Sequence, residues 1–317
     1  MQLNVQERKS SPSSKPIPRS PLEALRTRLP PSFDVTLYRS LNAALQPFPD
    51  EELHRHYLAY GQDEGRRAHP LANREAFAAL LSPELDVLEI GPFAEPMVTG
   101  PRTRYFELLD RAGITAITAA RGRDTSHVPD VHYVSPTADL GIVKREFDAV
   151  ITSHVIEHQP DFVGHLDAIR RLLRPGGLYF LLIPDKRYCF DHFMPDTTIA
   201  DVMEAHLSQR SRHTVKSHIH YAAMRTHNDA RRHWRGDHGI PEATVASVEH
   251  ALTEHANSQR SGEYSDTHAW YFQPKTFAQC LTLLRGLGET DFELLRLYPT
   301  LLNNDEFWAV LGAGQSG

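Results

Sequence analysis

The sequence predicts an α/β fold: a doubly wound, mostly parallel sheet that ends in an antiparallel hairpin at its C-terminal edge. Three observations predict it. From Asp86 onward, short runs rich in Val, Ile, Leu, Phe and Tyr alternate with helical stretches, as in successive strand–helix–strand units. The composition of each run suits a strand buried on both faces, as parallel sheets require. Near the C-terminus, residues 292–297 and 307–311 flank the turn Asn303-Asn304-Asp305, which reads as a hairpin.

The elements follow in order. Strands are expected at 86–91, 103–107, 131–134, 147–152 and 178–183. A helix opens at Pro160-Asp161, runs through Ile169 and Leu173, and is stopped by Arg174-Pro175-Gly176-Gly177 before the next strand. Another spans 274–284. Residues 1–31 are rich in Ser, Pro and basic residues and lack an apolar core segment, so they read as a flexible tail and not a secretory signal. Residues 32–70 form a small helical module, two short helices with Gly61 expected to end the second. The main domain is 71–317. Within it, 186–262 is long, polar and His-rich, with helical pieces at 198–206 and 243–258. That length does not suit a structureless loop in a compact domain, and we read it as a helical substrate cap inserted after the fifth strand.

Composition narrows the function classes. The chain has 317 residues, 40% hydrophobic and 23% charged, enough for one large α/β domain with a small addition. No apolar run approaches the ~20 residues that span a bilayer, so membrane insertion is not expected. A net charge of -6 gives no basic footprint for nucleic acid. Cys189 and Cys280 are the only cysteines; they lack a CxxC spacing, and a reducing, cytoplasmic setting is expected.

Chemistry is expected at the carboxyl ends of the central strands, where ligands bind in open α/β sheets. The first strand ends in Val87-Leu88-Glu89-Ile90-Gly91, an acid followed by a glycine that lets backbone approach a ligand, and then Pro92 and Phe93. The second ends at Glu107, placed to accept from ribose hydroxyls, with Asp110 in reserve. After the third comes Ser135-Pro136-Thr137-Ala138-Asp139-Leu140. The fourth runs through Phe147-Asp148-Ala149-Val150-Ile151-Thr152-Ser153-His154-Val155-Ile156-Glu157-His158, with Leu172-Leu173-Arg174-Pro175-Gly176-Gly177 beyond it.

Together these runs resemble class I S-adenosylmethionine (SAM)-dependent methyltransferases of the type 11 group, over residues 84–185. The resemblance implies a Rossmann-like fold, methyltransferase activity, SAM as cofactor, and cofactor contacts from Glu89, Gly91, Phe93, Glu107, Asp139, Leu140, Ser153 and His154. The sequence departs from the family where Pro92 to Pro96 replace a second glycine and where Pro136 takes the place of an acid. Ile183-Pro184-Asp185-Lys186-Arg187-Tyr188-Cys189-Phe190-Asp191 is similar to a subgroup found among glycan-biosynthesis proteins. The stretch from Phe33 through Tyr38, Asn42, Leu53, His56-Tyr57 and Tyr60-Gly61 to Glu64-Gly65-Arg66 resembles a module that accompanies glycosyltransferases, except that Asn42-Ala43-Ala44 stands for Asn-Pro-Asp.

These resemblances imply O-methylation of a sugar or glycan hydroxyl, with glycosyltransferases as candidate partners. Methylation of a small molecule or a protein side chain, and a non-catalytic scaffold with the same fold, are the alternatives. A weakly acidic hydroxyl needs help losing its proton; His154 and Asp185 are the candidate bases, His154 equally a cofactor contact and Asp185 equally a helix cap or an Arg187 partner. His158 is expected in a first helical turn. Arg187, Arg231, Trp234 and His268 are candidate acceptor contacts, through guanidinium forks and aromatic faces. The histidines at 213, 218, 220, 227, 233 and 238 show no fixed metal-ligand spacing, and no metal site is assigned.

Overall fold

The computed structural model describes residues 20–241, 243–261 and 264–314. Seven strands form one sheet: β1 (Val87–Ile90), β2 (Thr103–Glu107), β3 (Tyr133–Val134), β4 (Phe147–Ser153), β5 (Leu173–Pro184), β6 (Glu293–Tyr298) and β7 (Glu306–Gly312). Their order is β3-β2-β1-β4-β5-β7-β6. β1 to β5 run parallel, β7 pairs antiparallel with both β5 and β6, and the whole is a Rossmann-like α/β fold. The chain leaves β1 in one direction to β2 and β3 and returns to its other side at β4, so the strand order reverses beside β1.

Alternation along the strands builds two cores. Leu88, Ile90, Val150, Tyr179 and Leu181 face one layer of helices, while Val87, Ile151, Phe180 and Leu182 face the other, as side chains must on a pleated strand. Eleven α-helices are described: α1 (Pro21–Arg28), α2 (Val35–Leu41), α3 (Asp50–His56), α4 (Arg74–Ala78), α5 (Arg111–Ala120), α6 (Phe162–Leu172), α7 (Ile199–Leu207), α8 (Val215–Ile219), α9 (Ala230–Trp234), α10 (Val245–Ser261) and α11 (Pro274–Leu287). α6, α7 and α11 cover the first face and α1 and α4 the second. None of the described helices is long and apolar enough to cross a membrane.

Local chemistry sets the boundaries. Asp161 caps α6 by accepting from the Gly164 N–H at 3.0 Å, and Gly288 ends α11 with a left-handed φ of 80°. β5 starts earlier than expected. It opens at Leu173, pairs there with Phe147, and resumes at Leu178 opposite Ala149, so the 174–177 turn is an irregular strand entry with Gly176 at φ 74°.

Two expectations about the N-terminal region are corrected. The tail expected over 1–31 contains α1, whose Ser20 and Glu23 form a capping box around Pro21 and whose Leu25 and following Leu29 are buried on the sheet; residues 1–19 lie outside the described ones. Gly61 is not a left-handed helix terminus. It lies in a π turn continuing α3, and a Cβ there would run into the Tyr38 hydroxyl and the Tyr57 ring, so close packing requires the glycine. The left-handed glycine is Gly65, φ 65°, pressed against the Leu302 backbone and Trp234.

Candidate functional site

A cleft of about 530 Å³ opens where β1, β2 and β4 end, beside the point of strand reversal, within the usual range for small-molecule sites. Ile90, Phe93, Phe106, Leu109 and Pro136 give it an apolar wall. His154, His158, Gln159, Tyr264 and Asp266 make the opposite part polar. Backbone strain concentrates here. Of the five non-glycine residues with positive φ among the described residues, three line this cleft: Phe93 at 46°, Ala138 at 58° and His154 at 53°. Such residues cost roughly 1–3 kcal/mol each and persist where the surroundings impose them, commonly at functional sites.

Gly91 turns the chain out of β1 at φ 74°, donates its N–H to the Phe106 carbonyl, and has room for no Cβ, which would lie 2.9 Å from Val155 Cγ2. Glu107 lies on the cleft, its carboxylate accepting from the Phe93 N–H at 2.7 Å and the Leu108 N–H at 3.0 Å. Those bonds fix the loop after β1 against β2. Burial pushes the Glu107 carboxyl upward, and the two N–H groups pull it back.

Glu89 stands elsewhere. It shares the Val87 face of β1, is buried, and accepts from the Met97 and Val98 N–H groups at 2.8 and 3.0 Å. Burial pushes its carboxyl up to about 7 against these bonds. It holds the 92–98 loop from behind instead of lining the cleft. Asp139 and Leu140 line an adjoining cavity that shares Ala138 and Gln159 with the cleft, and Asp139 caps the following turn through the Gly141 N–H. Asp110 caps α5 through the Gly113 N–H. Ser153 accepts from Arg74 Nη2 at 2.7 Å.

His154 is on the cleft, with Nε2 donating to Glu306 Oε2 at 2.9 Å. Arg74 holds the same carboxylate at 2.8 Å. Burial lowers the His154 pKa, but Glu306 and Glu157 more than offset this and keep the ring above the ordinary imidazole value. In this state it is a donor and not a free base. Arg74 and Glu306 were absent from the sequence reading; they lie 232 positions apart, and no spacing signal could join them.

Asp185 is fully buried and bound to the Arg187 guanidinium by Oδ2 at 2.7 Å, while also accepting from the Thr300 hydroxyl at 2.7 Å. It does not line the cleft, and neither does Arg187, whose Nη1 reaches Asp63 at 3.0 Å. Trp234 stacks on Tyr188 with centroids 3.8 Å apart and donates to the Asn304 carbonyl. Arg231 is exposed on α9. His268 is buried, with Nδ1 2.6 Å from Asp191 Oδ2. His158, in the short turn after β4, lines the cleft. Among the described residues, two trios of side chains have the spacing to hold a metal ion: His192, His233 and His238, and Glu157, His158 and His268.

A family model described as a methyltransferase domain matches residues 60–284. The chain belongs to that family. It is a SAM-dependent methyltransferase, and the cleft fits the cofactor: an apolar wall, an acid at the end of β2, and a glycine whose missing Cβ leaves the backbone approachable. When bound, SAM supplies a methyl group activated by its sulfonium. Among solved structures, the chain is similar to a DhpI–SAH complex at 13% identity, with 93% of this chain and 96% of that one covered and a TM-score of 0.34. It is also similar to a SAM-dependent methyltransferase from Clostridium acetobutylicum (9% identity, 72% and 84% covered, TM-score 0.37) and to the glycopeptide N-methyltransferase MtfA (18%, 37% and 56%, 0.26). No curated protein matches it.

Proposed function

We propose that this methyltransferase acts on a hydroxyl oxygen of a sugar or glycan. The observation that carries the reading is the polar part of the cleft, where the turn after β4 meets the cap. Gln159, Tyr264 and Asp266 offer donors and acceptors there, which a polyhydroxylated acceptor can use. The glycan class is supported by the resemblances of residues 33–66 and 183–191.

In this reading Gly91 and the strained Phe93 loop hold the methionine part of the cofactor, Glu107 takes the ribose, and Asp139 and Leu140 border the adenine. Glu89 acts through the loop it ties down. His154, held by the Glu306 carboxylate that accepts from its Nε2, orients groups at the mouth of β4. Methyl transfer is an in-line displacement, so the chain's main task is to align the acceptor oxygen and exclude water. The departing hydroxyl proton is taken by Asp266, a cleft carboxylate 3.2 Å from His158 Nδ1.

The test is transfer of label from methyl-tritiated SAM into an extract separated into glycan, protein and lipid fractions. Label confined to glycan, and stable to protease, is the expected result. Label in protein or in a small amine overturns the acceptor class, and no transfer despite tight SAM binding favours a scaffold.

A further inference from the structure

Glu157 follows β4 by four residues and is completely buried. Neither of its carboxylate oxygens has a hydrogen-bond partner among the described residues. Changing its protonation does not cure this. An ionised carboxylate without donors is costly in a buried site, and a protonated one still needs an acceptor for its O–H and a donor for its carbonyl.

Imidazole surrounds it. His158 Nε2 lies 3.9 Å from Glu157 Oε1, and the His268 ring packs edge-on against His158 with centroids 4.5 Å apart. One ligating atom from each of the three residues lies within 4.8 Å of those of the other two. A carboxylate hydrogen-bonds His268 Nδ1, Asp191 Oδ2 at 2.6 Å, while His158 Nδ1 has Asp266 Oδ1 3.2 Å away as a charge contact and no hydrogen-bond partner among the described residues. A carboxylate behind the imidazole is how metal-binding histidines are oriented and made more basic. His154 also approaches Glu157, Nδ1 to Oε1 at 3.9 Å, but its Nε2 is committed to Glu306.

We infer that Glu157, His158 and His268 bind one divalent transition-metal ion, of the zinc, iron(II) or manganese class, in the wall of the cleft. Two imidazoles and one carboxylate suit such ions and leave coordination positions for a substrate oxygen. Ligands about 2.0–2.2 Å from a tetrahedral ion stand about 3.3–3.6 Å from one another, so the trio closes around an ion through small side-chain movements. Because His158 and Asp266 line the cleft, the ion borders the space assigned to the acceptor. A hydroxyl oxygen bound there is more acidic than in water, which eases transfer of its proton to Asp266. That role rests on the proposed hydroxyl acceptor; ion binding itself does not.

The other trio lacks both features. His192, His233 and His238 include no carboxylate, and the facing Nδ1 atoms of His233 and His238 already lie in hydrogen-bond contact at 3.1 Å. It serves as the control.

The test uses untagged full-length protein, stripped with a chelator and titrated with cobalt(II) and zinc(II). Visible absorption follows cobalt, metal content after dialysis gives stoichiometry, and calorimetry with S-adenosylhomocysteine reports an intact cofactor site. One equivalent is expected per chain. Glu157→Gln and His158→Ala each weaken it by about 100-fold or more, Asp191→Asn by about 10–100-fold, and His233→Ala leaves it unchanged. His158→Ala is on the cleft wall and serves where the buried Glu157 variant fails to fold. The inference is overturned if the wild-type chain retains no ion, if both ligand variants keep wild-type affinity, or if His233→Ala alone abolishes binding. Ion binding with no S-adenosylhomocysteine binding counts against the cofactor assignments and leaves this site standing.

Discussion

His69 is fully buried, neither ring nitrogen has a hydrogen-bond partner among the described residues, and the ring packs against Tyr298 with centroids 4.8 Å apart and near Trp308 at 6.1 Å. Burial, with Arg67 adding to it, lowers its pKa from 6.5 to about 4. The folded state therefore prefers the neutral ring, so the contribution to stability is complete above pH 6.5 and is lost as pH falls toward 4. By about pH 4.5 the unfolded imidazole has gained nearly two units of protonation free energy that the folded one has not, a loss of roughly 2.5 kcal/mol at about 1.36 kcal/mol per unit. Urea denaturation of the wild type and His69→Leu, each at about pH 7.5 and about pH 4.5, isolates this contribution from the other titrating groups. The variant should lose about 2.5 kcal/mol less on acidification. Parallel losses in the two proteins would refute the reasoning.

Three further outcomes are expected. Glu107→Gln should weaken S-adenosylhomocysteine binding about 10–100-fold by calorimetry, because charge-assisted bonds are worth roughly 1.5–3 kcal/mol; unchanged affinity would remove Glu107 from the cofactor site. Gly91→Val should abolish cofactor binding, since φ 74° and the 2.9 Å approach to Val155 leave no place for a branched side chain; a folded variant with normal affinity would contradict the geometry. Asp185→Asn should lower stability by roughly 3 kcal/mol by leaving the Arg187 guanidinium without its carboxylate, with turnover per folded molecule preserved; a selective fall in kcat would restore Asp185 as a base.

Much of the sheet was legible because parallel strands must be apolar on both faces and must end where the ligand sits. That rule singles out Gly91, Phe93, Glu107 and His154, which line the cleft. Glu89 was misplaced, although alternation held the answer: it shares parity with Val87, whose face packs on α1 and α4, and not with Ile90, which reaches the cleft. The signal for α1 was also present, in Ser20-Pro21 followed by Glu23, but Ser and Pro content outweighed it. Arg74, Glu306 and the Glu157, His158 and His268 trio had no local signature. Their partners are supplied by segments far apart in the chain, and only the folded sheet brings them within reach.

Glu306 has a consequence for assembly. It opens β7, yet it grips both Arg74, before β1, and His154, after β4. The mouth of the cleft is therefore fastened by a segment that follows every residue lining it, and contacts of such separation form slowly. A chain arrested before β7 can pair β1 to β5 and still lack the clasp, so competence to hold ligand should appear only once the final hairpin has closed.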